Sequence, residues 1–313
     1  MRKTVICLFI IPIGLISCNT ARPIQSGRAG QDYCSPTAAN ISSIPVDFED
    51  LGETGYSQDS IFNKRLGLHE YLVANATGTR RQIDQLLTLA SDSTMTARIL
   101  RLEKKSEIQQ RISRFRTELD GLSAELDCQG ERADQLGNYL EKLDEKRTRN
   151  LTIASVIAGS VTTVITVILT NDDAQNAAGI SGGLLSAGLS AMTINPKGKK
   201  MVFTHDRNLL HDVWYAPGKS SVYPAAVWYI LSHKGFSNTE GSTLIESIKG
   251  RWKTFEIDST DKSEIDLLFN KGGLYTAEML HKRASMLNQL QSTVRAINQD
   301  LDTFMDRLFQ VLL

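Results

Sequence analysis

Two histidine–aspartate pairs, His205-Asp206 and His211-Asp212, are the residues in this chain best suited to hydrolytic or metal-assisted chemistry. Zinc held by a single helix needs histidines spaced i, i+4, which puts both imidazoles on one face. His205 and His211 are six apart and do not share a face in that way. His69-Glu70 opens like a zincin motif, but no second histidine follows at the required spacing. The glycines from Gly179 to Gly188 lie in an apolar run without the lysine of a phosphate loop. The pattern predicts no catalytic set, no metal site and no cofactor.

The elements that would position any site read as helical. Ile108, Ile112, Phe115, Leu119, Leu122, Leu126, Ala133, Leu136, Leu140 and Leu143 recur at alternating steps of four and three, with Gln129 filling the one polar step. Near the end of the sequence Leu280, Leu287, Leu290, Val294, Ile297, Leu301, Phe304, Leu308 and Val311 keep the same rhythm, interrupted at Arg283. Such a/d stripes predict two long helices. The simplest arrangement packs 273–313 antiparallel on 105–148; the rival is a seam between copies of the chain. Gly121, Gly130 and Gly137 mark weak points where the first of these helices can bend. Further helices are expected over 58–150, with a break near Gly78.

Residues 195–272 are rich in aromatic side chains and hold all three tryptophans, and Pro196, Pro217 and Pro224 divide them into short helices and turns. Helix is expected over 222–232 and over 242–252, the second starting at Ser242 or Thr243 with Glu246 in its first turns. The fold class is therefore all-α: an elongated helical bundle or coiled coil with a small, mostly helical insert and a hydrophobic helical hairpin.

That hairpin occupies 151–194. Leu151 to Thr170 carries no charge and is long enough to cross a bilayer, which takes about 20 residues. A polar turn, 171–176, leads into a second uncharged run, 177–194, rich in glycine. Small residues recur every four positions in both runs, and Ala154, Ala158, Gly179, Gly182, Gly183 and Ala187 are the expected packing residues. The base is basic, with Lys146, Arg147 and Arg149 before it and Lys197, Lys199 and Lys200 after. Insertion into an inner membrane from outside would oppose the usual bias of positive charge toward the cytoplasm. Insertion into an outer membrane meets no such objection. The alternative is burial in this protein or in an oligomer.

At the other end, Met1-Arg2-Lys3 precedes an apolar stretch too short to span a bilayer, and Ser17-Cys18 follows it. Leu15-Ile16-Ser17-Cys18 resembles the lipobox of bacterial lipoproteins, a likeness confined to the leader. The resemblance implies a signal peptide over 1–17, cleavage before Cys18, and acyl chains on that cysteine that hold the protein to a membrane. Asn19, rather than aspartate, at the next position favours the outer membrane in that family. Residues 18–57, rich in Ser, Thr, Pro and Gly, read as a flexible tether. With Cys7 removed and Cys18 acylated, Cys34 and Cys128 remain. In an oxidising envelope they can pair with each other, stay free, or pair with another chain.

The full chain balances 35 basic against 35 acidic residues; losing Arg2 and Lys3 leaves 33 against 35, with no electrostatic case for nucleic acid. The expected partners are a lipid membrane and a protein partner or second copy, met through the hairpin or the heptad seams. Long helices at 108–143 and 280–311 flanking the hairpin also resemble, in architecture alone, the α-helical pore-forming toxins of the haemolysin BL type. Three functions follow as expectations: a non-enzymatic envelope lipoprotein acting as a tethered stalk, a membrane-permeabilising protein, and a hydrolase using 195–272.

Overall fold

The computed structural model describes residues 24–25, 33–35, 61–194, 198–239, 241–257 and 261–312. The expected signal peptide, 1–17, and Cys18 lie outside the described residues, as does most of 18–57. The fold is all-α and elongated, built on one helix, α4 (Met95–Ile168), of 74 residues. At 1.5 Å per residue it is about 110 Å long. Thr94 caps its start, the hydroxyl accepting from the Ala97 N–H at 3.2 Å.

The heptad stripe explains how so long a helix is held. Every a/d position from Ile108 to Leu140 is buried, Gln129 included. Its partner is α10 (Ala277–Leu312), whose stripe from Leu280 to Leu308 is buried in the same way. The two run antiparallel: His281 meets Asp134 at 2.9 Å, Gln291 meets Asp127 at 2.8 Å, and Arg116 meets Asp302 at 3.7 Å. α4 runs unbroken through Gly121, Gly130 and Gly137. Two of these glycines serve close approach instead of bending. A Cβ at Gly130 would lie 2.7 Å from Asn288 Oδ1, and one at Gly137 would lie 2.8 Å from the His281 ring.

Three short helices, α1 (Ile61–Arg65), α2 (Leu68–Ala76) and α3 (Arg80–Thr88), wrap the bundle, with Gly67 and Gly78 at positive φ between them. After the hairpin the chain returns along α4 as β2 (Met201–Thr204), then folds through α6 (Leu209–Tyr215), α7 (Ala225–Ser232), α8 (Leu244–Phe255) and α9 (Lys262–Phe269) to β3 (Gly272–Tyr275). β3 pairs antiparallel with β2, Met201 opposite Tyr275. Thr243 and Glu246 form a capping box at the start of α8. The strands were not expected from the sequence. Each is four residues long, too short for its alternation to stand out from the surrounding turns.

Two described parts of the segment expected to be a flexible tether, 18–57, meet the bundle. β1 (Ile24–Gln25) pairs parallel with β2, Ile24 opposite Met201, and Cys34 is disulfide-bonded to Cys128 on α4. Tyr33 also lies 6.0 Å from the Arg132 guanidinium. Strand pairing and a covalent bond thus pin this segment to the bundle at two points. The bond is the first of the pairings open to Cys34 and Cys128 in the sequence, whereas the polar composition gave no sign of the strand.

The two polar breaks in the heptad stripes are where the insert docks. Arg283 is 1% exposed; its guanidinium donates to the Leu268 carbonyl at 3.0 Å and to Asn208 Oδ1 at 3.1 Å. Asn208 in turn donates to the carbonyls of Leu268 and Asn270, both at 2.9 Å. Gln129 donates to Glu125 at 3.3 Å, and Glu125 receives Arg207 at 2.8 Å. Truncating Arg283 to alanine is expected to cost about 3–4 kcal/mol in urea unfolding, from the cavity plus two charge-assisted hydrogen bonds. Arg283→Met should cost only about 1–2 kcal/mol. Met refills most of the volume, and the acceptors keep their other donors, Asn208 Nδ2 and the Leu210 N–H. Equal losses in the two variants would contradict that division.

Candidate functional site

The histidine–aspartate pairs are built into the insert's framework. Asp212 accepts from the Ser220 hydroxyl at 2.6 Å and the Ser221 N–H at 3.0 Å. His211 Nδ1 lies 2.8 Å from the Phe269 carbonyl. His205 is buried between the Phe203 and Tyr275 rings. Burial, then the Arg283 and Arg132 guanidiniums, push its pKa down to about 2. The ring is neutral in the fold, whereas in the unfolded chain it titrates near its ordinary 6.5. As pH falls below 6.5 only the unfolded state gains a proton, so stability drops. Between pH 7.5 and 4.5 the expected loss is about 2–3 kcal/mol, measured as the shift in urea-unfolding free energy. His205→Phe should remove that slope; a variant with the wild-type slope would assign it elsewhere.

The hairpin is where exposed chemistry collects. Its first helix is the continuation of α4, and its second is α5 (Asp172–Ile194). The polar turn is internally bonded: Asn171 Oδ1 accepts from the N–H groups of Asp173 and Ala174, and the Gln175 amide donates to the Leu169 carbonyl. Between the helices the seam is made of glycine, alanine and hydroxyl side chains. A Cβ at Gly182 would fall 1.9 Å from Thr162 Oγ1, so only glycine fits there. Gly179 faces Thr166 and Gly159 faces Ser186, while the Ser186 hydroxyl donates across the seam to the Ser155 carbonyl at 3.1 Å. Small side chains permit this approach, as they do between membrane helices.

Of the expected packing residues, Ala158, Gly179 and Gly182 are on the seam. Ala154, Gly183 and Ala187 are not: they are exposed on the outer surface, and nothing approaches within 4 Å of a Cβ placed at Gly183. Adjacent rows of small residues lie side by side on one helix, and the Thr162 and Thr166 side chains of the opposite helix select between them. Ser155 and Gly159 complete the seam and were missed for the same reason.

The outer surface is aliphatic. Twelve large apolar residues of the hairpin are exposed, among them Val156, Val164, Val167, Ile168, Ile180 and Leu184, reaching 79% at Val167. Burial inside this chain, one of the two expectations, therefore does not occur for the described residues. The stretch within α4 is long and apolar enough to cross a membrane by length and composition, and almost none of it is buried. From Leu151 to Ile168 the rise is about 27 Å, close to the roughly 30 Å hydrocarbon thickness of a bilayer. Its hydroxyls have partners already: Ser160, Thr162, Thr163 and Thr166 each donate to a carbonyl one turn back, at 2.7 to 3.0 Å. Removing them from water thus leaves no unpaired donor.

No protein-family model matches this chain, and no curated protein or solved structure shows significant similarity to it.

Proposed function

We propose that this is a non-enzymatic envelope lipoprotein, a helical stalk anchored through Cys18 whose hairpin enters a lipid bilayer. The observation that carries this reading is the exposed aliphatic surface of the hairpin, twelve large apolar side chains set around a seam of small and hydroxyl residues. In water such a surface is costly. Burying twelve half-exposed aliphatic side chains is worth on the order of 10 kcal/mol, and soluble monomers rarely carry so large a patch. The basic residues Lys146, Arg147, Arg149, Lys199 and Lys200 collar the root, where lipid phosphates would lie. They remain on the side of entry, which suits an outer membrane and not an inner one entered from outside. The Cys34–Cys128 bond supports an oxidising compartment.

The test is flotation with phosphatidylethanolamine–phosphatidylglycerol vesicles, using the chain from Asn19 so that acylation does not contribute. The intact protein should float with the vesicles, and a version lacking 151–194 should stay behind while keeping its helical circular dichroism. Equal behaviour of the two would overturn the reading. Dye release from the same vesicles distinguishes simple insertion, with no release, from the permeabilising alternative.

A further inference from the structure

The end of α4 remote from the hairpin carries a second exposed surface. The seam row of α4 runs back from Ile112 to Ile108 and on, at the same alternating steps, to Lys105, Arg101 and Arg98. Three cations thus succeed the aliphatic row. Arg116 opposite Asp302 sets the antiparallel register, so Leu312 of α10 falls at about the level of Ser106. Past that level α10 no longer covers the row. Beside it Leu102, Ile99 and Met95 form a neighbouring row that is 69%, 58% and 72% exposed. A charged and an apolar row side by side, along about 15 Å of helix, make one amphipathic face.

This face is the floor of a cleft. α3 and the turn after it supply a second wall, so that Leu86, Ala90, Arg98, Arg101, Leu102 and Lys105 line a cavity of about 450 Å³. A smaller apolar pocket shares Leu86 and Lys105 with it and is closed by Met305, Leu308 and Phe309 of α10. Two of the three cations have no carboxylate partner. Among the described residues Arg98 and Lys105 form no ion pair, and Glu103 and Glu107 of the same turns lie on Lys104, at 3.6 and 2.7 Å. Arg101 donates to the backbone carbonyls of Leu89 and Asp92, both at 2.7 Å, which holds its guanidinium against the wall. The Asp92 carboxylate accepts from the Thr94 N–H at 2.9 Å.

We propose that this cleft docks an acidic amphipathic helix of a partner protein, laid on α4 where α10 leaves off and continuing its line. Carboxylates at the partner's seam positions meet Arg98, Arg101 and Lys105, and a flanking apolar row covers Leu102, Ile99 and Met95. An apolar side chain at the end nearer α10 enters the pocket beside Phe309, the usual way a helix is anchored in a groove. Charge complementarity selects the partner, since an aliphatic helix of the α10 kind would bury three cations unpaired. A flat anionic bilayer suits the cleft less well, because Arg101 is bonded to the turn after α3 instead of extending toward phosphates. Lys105 lies about 70 Å along α4 from Leu151, so the cleft and the hairpin engage their partners independently.

The probe is a stapled, fluorescein-labelled helical peptide of about three turns, with glutamate on one row and leucine on the next. Its control has the same composition, scrambled so that neither row forms. In fluorescence anisotropy with the chain from Asn19, the patterned peptide should bind about tenfold more tightly than the scrambled one, and more weakly as salt rises. Arg98→Glu with Lys105→Glu should weaken binding about tenfold, as expected for two exposed ion pairs. Arg98 and Ile99 are exposed, so Arg98→Glu and Ile99→Glu should each weaken binding while keeping the wild-type urea midpoint. These single variants carry the test if the double variant unfolds. Patterned and scrambled peptides that bind alike, or charge reversals without effect, would overturn the inference. A bimane at Met95→Cys separates protein from lipid, since its emission should shift to the blue with the peptide and not with phosphatidylglycerol vesicles. A shift with vesicles alone would assign the cleft to a lipid surface and overturn the inference as well.

Discussion

Reducing the Cys34–Cys128 bond, or replacing Cys128 with serine, will lower the unfolding free energy by about 4–5 kcal/mol. The bond closes a loop of 94 residues, and the chain-entropy cost relieved by cutting a loop of that size is about 4.7 kcal/mol. The effect acts mainly on the unfolded chain, which gains conformations and exposed surface once the link is gone. The urea midpoint should therefore fall while the slope of unfolding free energy against urea rises. One bond joins the two cysteines, so Cys34→Ser, Cys128→Ser and the double variant should lose the same amount, a fully non-additive set. Additive losses would mean that each side chain contributes by packing, and an unchanged midpoint in dithiothreitol, with thiols counted, would remove the bond from the account of stability. A second readout follows from β1. Its two residues pair with β2 without any other described secondary structure between them and α1, so cutting the bond should let Ile24 and Gln25 lose amide-exchange protection well below the global transition.

The bundle was legible residue by residue because its stabilising rule is local. Burial at a and d repeats every seven residues, and one stripe names both the helix and its buried face, from Ile108 to Leu140 and from Leu280 to Leu308. What the stripes could not explain were their own exceptions. Arg283 and Gln129 look like errors in a two-helix seam and become necessary only when a third layer, the 198–276 insert, supplies Leu268, Asn208 and Arg207. Non-local partners also hid the strands, since β2 and β3 are 67 residues apart and β1 is two residues long. At the hairpin the sequence specified small-residue rows but not which one faces inward, because that depends on Thr162 and Thr166 across the seam. Nor could it say whether the aliphatic side chains were covered. Hydropathy reports what a segment avoids, and only the position of the last part of α4 beyond the amino-terminal end of α10 shows that nothing in the described chain covers it.

That exposure makes the hairpin testable by substitutions that are silent in water. Val161 and Leu184 lie near the middle of the two helices, half or more exposed, on the outer surface. Lysine at either position removes no contact in the soluble form, so urea unfolding should move by less than about 0.5 kcal/mol. In the centre of a bilayer the same charge costs about 3 kcal/mol, which is more than a hundredfold in partitioning per site. Val161→Lys with Leu184→Lys should therefore abolish flotation with vesicles while leaving the fold intact. Seam variants behave differently. Gly182→Leu collides with Thr162 in any solvent and should separate the helices, whereas Gly183→Ala, one residue away and open to solvent, should change nothing. The rival cover for the aliphatic face is a second copy of the chain, which lysine would also disrupt. Sedimentation without lipid separates the two. A monomer at all concentrations, binding vesicles only with Val161 and Leu184 intact, requires hydrocarbon against that face. Lysine variants that float like wild type would mean that the outer surface never meets the bilayer interior, and a concentration-dependent oligomer lost on substitution would assign the face to protein.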